Sequence, residues 1–143
     1  MITEIYVPRD QLVDFMEAVR QDFLKYNVPL IYGTVRWIEE DKESFLAWAR
    51  KNFICVILNL HVEHTPEGIK EAQEHFRRLI DRAIEFKGSY YLTYHRWATK
   101  EQVLACYPQF VDFLKLKLKY DPTERFQSDW YRHYREMFRE ELP

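Results

Sequence analysis

Three places along the chain hold side chains of types able to do chemistry. Arg36 stands between Val35 and Trp37, with Thr34 and Tyr32 at alternate positions. On a strand, that spacing puts a guanidinium, a hydroxyl and a phenol on one face. A guanidinium on a rigid strand suits carboxylate, phosphate or polyol oxygens; the alternative is an ion pair with Glu63 or another acid at a domain contact. Tyr91, Tyr94 and His95 cluster further on. They offer hydrogen bonds or a proton to a bound molecule, or else aromatic packing against Trp97. His61-x-x-His64, with Glu63 between, has the residue types of a metal site. Residues three apart on a strand point to opposite faces, so these imidazoles converge only if the strand ends between them. Cys106 falls at a helix-core position and reads as a buried, inert thiol. His75 lies among charges on a helix and reads as solvated.

The elements that must carry these groups follow from periodicity. Ile2–Val7 reads as a strand stopped by Pro8. Asp10 then caps a helix in which Leu12, Phe15, Met16, Val19 and Phe23 recur at helical spacing to about Tyr26. Pro29–Glu39 alternates as a strand, with Ile31, Val35 and Trp37 opposite Tyr32, Thr34 and Arg36. Glu39–Glu43 is a charged connection, and Ser44–Arg50 fits neither period. Phe53–Val62 is a strand with Ile54, Val56, Leu58, Leu60 and Val62 on one face and Cys55, Ile57, Asn59 and His61 on the other. Thr65-Pro66-Glu67 opens a second helix with the apolar stripe Ile69, Ala72, Phe76, Leu79, Ile80 and Ala83, ended at Lys87-Gly88. Ser89–Tyr94 reads as a fourth strand. Thr99 caps Lys100–Cys106, Pro108–Tyr120 continues as helix, Asp121-Pro122 breaks the chain, and Ser128 or Asp129 caps a last helix to about Arg139.

The order β-α-β-β-α-β followed by helices predicts an α+β, ferredoxin-like fold: an antiparallel four-stranded sheet with two helices on one face. The opposite face would carry Tyr32, Thr34, Arg36, Asn59 and His61, and would be wet or covered by a partner. One domain is expected over 1–143, with a core at 1–98 and a helical extension at 99–143.

Composition removes several function classes. The 143 residues include only three glycines, Gly33, Gly68 and Gly88, none near another. A dinucleotide or P-loop cradle needs clustered glycines, so none is encoded here. With 21 basic against 23 acidic residues and a pI near 6.2, nothing favours nucleic-acid phosphate. No apolar run is long enough for a membrane span, and the first residues lack the pattern of a signal peptide. Two cysteines make no disulfide framework, which points to the cytoplasm. The stretch Tyr120–Tyr134 is dense in aromatic and basic residues; with its balancing acids it reads as a surface for another protein.

Lys119-Tyr120-Asp121-Pro122-x-x-Arg125-Phe126-x-Ser128-Asp129 resembles the closing motif of FAD-linked oxidoreductases of the vanillyl-alcohol-oxidase type, including sugar-lactone and alditol oxidases and decaprenylphosphoryl-ribose oxidase. The likeness extends upstream through Tyr107-Pro108, Tyr91-Leu92-x-Tyr94 and Phe53–Val62. It implies a C-terminal substrate, or cap, domain whose sheet roofs the flavin, with FAD bound by a larger domain in cis or on a separate chain. On that resemblance Arg36 matches a strand cation of the substrate pocket, Tyr91 a pocket-lining aromatic, and Tyr94 a position where several relatives carry an active-site lysine. A phenol has no fixed positive charge at neutral pH, so that role is altered or taken by His95. Thr34 stands where alditol oxidases have a glutamate. The expected site is therefore Tyr94 and His95 as catalytic groups, with Arg36, Tyr91, Asn59 and His61 binding a hydroxyl-bearing small molecule. With Met1 directly before the first strand, the resemblance implies a fragment or a separately encoded half, inactive in oxidation by itself. Two other readings are open: a free-standing ferredoxin-like module that binds a small ligand or forms a homodimer through its exposed aromatics, and a dimeric cofactor-free monooxygenase. The latter would need a catalytic His in a closed apolar pocket.

Overall fold

Alternation in the first strand decides how the rest of the chain is layered. A computed structural model describes residues 1–143. In β1 (Ile2–Pro8), Thr3, Ile5 and Val7 are fully buried, while Glu4 and Tyr6 project to the other side of the sheet. β1 is central: it pairs antiparallel with β3 (Phe53–Leu60) and with β4 (Ser89–Tyr90), and β3 pairs antiparallel with the edge strand β2 (Leu30–Ile38). The result is an α+β fold with a four-stranded antiparallel sheet in the order β2-β3-β1-β4 and five α-helices.

α1 (Leu12–Lys25) and α2 (Pro66–Glu85) lie over one face of this sheet, chiefly over β1. They are tied together by Arg82, whose Nε and Nη2 donate to the two oxygens of Asp22 at 2.7 and 2.9 Å. Thr65 caps α2 by accepting from the Gly68 amide at 3.1 Å, with Pro66 in the first turn. Asp10 caps nothing: a 3-10 turn over Arg9–Gln11 leads from Pro8 into α1 and takes the place of a side-chain cap. Gly88 is required where α2 returns to the sheet, because a Cβ there would lie 2.0 Å from the Tyr6 carbonyl oxygen.

Three further expectations need correction in the sheet and its cover. The fourth strand is only Ser89–Tyr90; the Tyr91 amide still donates to the Glu4 carbonyl at 3.0 Å, and the chain then turns away from β1 over Leu92–Tyr94. His75 is not solvated: it is buried on the inner side of α2 between Ala72 and Phe76. The sheet face opposite the helices is not uniformly open either. Residues 39–52 fold back across it, braced by Asp41, whose Oδ1 accepts the Glu43 and Ser44 amides at 2.9 Å. The segment lays Trp48 on Tyr6, ring centroids 5.1 Å apart, and builds a small second core from Tyr6, Ala49, Phe53, Cys55 and Ile57.

The C-terminal helices α3 (Lys100–Cys106), α4 (Phe110–Tyr120) and α5 (Asp129–Met137) belong to the main core. Val103, Cys106, Tyr107, Phe110, Leu114, Tyr131, Tyr134 and Phe138 form one buried cluster with Ile5, Val7, Ile54 and Val56. Thr99 starts α3 with a capping box to Gln102, and Ser128 caps α5 through the Tyr131 amide. Most aromatics of the Tyr120–Tyr134 stretch therefore face inward; Tyr120 and Phe126 alone remain strongly exposed. No helix is long and apolar enough to cross a membrane.

Candidate functional site

Strand register assembles the site. Arg36 on β2 sits across from Cys55 on β3, which sits across from Tyr6 on β1, so the three form a row on the face away from α1 and α2. Glu4 lies on the same face two residues from Tyr6. The turn after β4 brings Tyr91, Thr93 and Tyr94 over this row, and Trp48 closes it from the 39–52 segment. Together these groups line a hollow of about 320 Å³.

Glu4 is the hub. Its Oε2 accepts from the Tyr6 hydroxyl at 2.7 Å and its Oε1 from the Tyr94 hydroxyl at 3.0 Å, with the Cys55 thiol 3.8 Å from Oε2. Burial, reinforced by Glu4, holds the Tyr6 phenol far above the ordinary tyrosine range. The hydrogen bond to Glu4 raises Tyr94 as well. Burial pushes the Cys55 thiol up to about 12, with Glu4 adding to the shift and Arg36 opposing it. At neutral pH both phenols are thus protonated donors, and the thiol is no nucleophile. Arg36 lines the hollow with its guanidinium in no ion pair or hydrogen bond of the fold. The arrangement offers a free planar cation for substrate oxygens and, beside it, a carboxylate–phenol pair able to pass a proton.

Of the expected site residues, the structure brings Arg36, Tyr91 and Tyr94 together. His95 is turned away: its Nε2 lies 3.1 Å from the Ile2 carbonyl, its ring stacks on Trp97 at 4.4 Å, and burial lowers its pKa. The turn replacing the end of the fourth strand sends the neighbours Tyr94 and His95 to different sides. Asn59 shares the open face but pairs with Ile2 and Tyr32, beyond the residues lining the hollow. His61 lies past the end of β3, its amide bound to the Pro29 carbonyl at 2.8 Å, and borders a separate cleft with Glu63, Glu71 and His75. No three His, Cys, Asp or Glu side chains converge there or elsewhere in metal-binding geometry. Glu4, Tyr6 and Trp48 were not expected in the site. The alternation of Thr3, Ile5 and Val7 with Glu4 and Tyr6 was the signal for the first two.

The glycines do not fit an FAD cradle. A Cβ on Gly33, Gly68 or Gly88 would meet Leu58 at 3.1 Å, the Glu63 carbonyl at 2.5 Å or the Tyr6 carbonyl at 2.0 Å, so each glycine already serves a close internal contact. No family model matches the sequence, and no curated protein matches it.

Proposed function

We propose that this chain is the substrate-binding cap of a cytoplasmic FAD-linked oxidoreductase of the vanillyl-alcohol-oxidase type. It acts on a hydroxyl-bearing, sugar-like small molecule, and FAD is held by another domain in cis or on a separate chain. The observation that carries the reading is the unpaired Arg36 guanidinium beside the Glu4–Tyr94 pair in a hollow on the open sheet face. Arg36 would anchor substrate oxygens, Tyr91 would wall the hollow, and Tyr94, backed by Glu4, would hold or move the hydroxyl proton. A ferredoxin-like core is supported by the strand order β2-β3-β1-β4 with α1 and α2 after β1 and β3. Exposed apolar side chains on β2, with Trp37 70% and Ile31 59% exposed, and the outward Tyr120 and Phe126 give a second domain surface to cover.

The test is co-expression with the polypeptide encoded immediately upstream. A yellow complex is expected that a polyol bleaches without oxygen, with Arg36→Ala raising KM. Tight, stoichiometric FAD binding by this chain alone, or unchanged substrate kinetics in Arg36→Ala, would overturn it.

One observation favours a free-standing, non-catalytic module instead. β2 is an edge strand of nine residues carrying a single charge, a form suited to pairing with a second copy. Sedimentation of the isolated chain separates the two, since edge pairing predicts a dimer whose formation Val35→Lys blocks.

A further inference from the structure

The Arg36 hollow adjoins a second one of different chemistry. Leu46, Trp48, Tyr91, Leu92, Thr93 and Trp130 enclose about 260 Å³, and Trp48, Tyr91 and Thr93 line both hollows. We propose that the ligand of this face is bipartite: a hydroxylated end held at Arg36, Glu4 and Tyr94, joined to a flat apolar ring seated between Trp48, Tyr91 and Trp130. The inference rests on reading the Arg36 hollow as the substrate site.

The walls of the second hollow are pre-formed. The Trp130 indole donates from Nε1 to the Leu92 carbonyl at 3.0 Å. Trp48 is stacked on Tyr6, and its carbonyl accepts from the Ser89 hydroxyl at 3.2 Å. Tyr91 packs edge-on against Tyr94 at 4.9 Å, so one aromatic pair links the two ends of the site. The hydrogen bond to Leu92 uses the Trp130 donor, which leaves Thr93 and Tyr91 as the two hydroxyl-bearing side chains on the wall. A second sugar ring would lose water from several hydroxyls there and find only those two side-chain hydroxyls to replace it. An aromatic ring needs no such partners and gains from offset or edge contact with two indoles and a phenol. The volume falls just under the usual range for drug-sized pockets, roughly 300–1,000 Å³, and suits one ring.

The probes are phenyl β-D-glucopyranoside and methyl β-D-glucopyranoside, which share the hydroxylated end and differ in the ring. Each is titrated into the full chain while the indole N–H resonances of Trp48 and Trp130 are followed by NMR. The phenyl compound is expected to bind at least tenfold tighter and to shift both indole signals. Leu46→Asp, at the half-buried rim, should erase that difference while leaving the methyl compound's affinity unchanged. Trp130→Phe should reduce it should the Asp variant unfold. Arg36→Ala should weaken both compounds. Equal affinities, both reduced by Arg36→Ala, would overturn the ring site and leave the polar site standing. Affinities indifferent to Arg36→Ala, or no binding of either compound, would overturn the underlying reading along with it.

Discussion

Replacing Glu4 by Gln removes the charge at the centre of the site and exchanges one of its two acceptor oxygens for a donor NH2. The Tyr6 and Tyr94 hydroxyls donate to separate carboxylate oxygens at 2.7 and 3.0 Å, so the amide keeps the shape while one phenol still donates to its carbonyl and the other instead accepts from its NH2. Hydrogen bonds to charged groups contribute about 1.5–3 kcal/mol and neutral ones about 0.5–1.5, so each phenol stands to lose about 1 kcal/mol. Tyr94 is 44% exposed and water replaces most of what it loses, which leaves the cost with the buried Tyr6. At about 2.1 cal/mol/K of unfolding entropy per residue, or about 0.3 kcal/mol/K for this chain, 1 kcal/mol lowers Tm by roughly 3 °C. The larger effect is on titration. The Glu4 hydrogen bond is the main cause of the raised Tyr94 pKa, so in Glu4→Gln Tyr94 should ionise closer to the ordinary tyrosine range. Cys55 should come down only part of the way from about 12, because burial is the first cause of its shift and burial remains. NMR of ¹³Cζ-labelled tyrosine reads the phenols, and the pH dependence of alkylation reads the thiol. A Tyr94 titration that does not move, or a Cys55 thiol that returns to the ordinary cysteine range, would refute this account of the site.

Phe110→Ala should cost about 3–5 kcal/mol, since the ring is fully buried against Trp130, Tyr134 and Phe138 at 5.7, 5.0 and 5.3 Å. Far-UV dichroism and tryptophan fluorescence should melt together roughly 10–15 °C lower; a sheet that outlives the helices would contradict the shared core. Acid should destabilise the chain between about pH 7 and 5. Burial is the first cause lowering His75, His95 and His133, so the unfolded chain takes up these protons first and stability falls as pH drops below about 6.5. The urea midpoint of His75→Leu should show a shallower slope over that range, and an unchanged slope argues against a buried neutral His75. Asp121→Ala should release the amides of Arg125 and Phe126, which its carboxylate holds at 2.9 Å, and hydrogen exchange there should quicken while α4 stays protected. Unaltered protection would mean that the turn does not depend on Asp121.

The period of each segment was enough to read most elements, and the failures share a cause. A strand's length is set by what it pairs with, and the run Ser89–Tyr94 has strand-like residues but follows β1 only as far as the Tyr91 amide on the Glu4 carbonyl. Glu71, Glu74, Arg77 and Arg78 around His75 give its stretch the composition of a solvated face. Its place on the helix, one residue before Phe76 and three after Ala72, is what turns it inward. The segment Ser44–Arg50 has no period to read at all. It is started by a local Asx turn at Asp41 and held by one indole stacking on one phenol, a contact that exists only after β1 is in place.

The same distinction separates the legible part of the site from the rest. Arg36, Tyr91 and Tyr94 announce themselves by residue type and by resemblance. Glu4 does not, because an acid two residues from a strand's start is ordinary until the register β2-β3-β1 sets it in the same hollow as Arg36. In the C-terminal stretch, residue type misled where spacing would have served. Tyr131, Tyr134 and Phe138 recur at three and four residues, the interval of an inward helical face, and they are buried. Arg132 is exposed further along on α5. What faces outward at the Asp121 turn is shorter, Tyr120, Arg125 and Phe126, and that turn is fixed by Lys117 and two backbone amides on Asp121. A partner that docks there meets a turn already held in place by its own hydrogen bonds, and so has little chain entropy to overcome on binding.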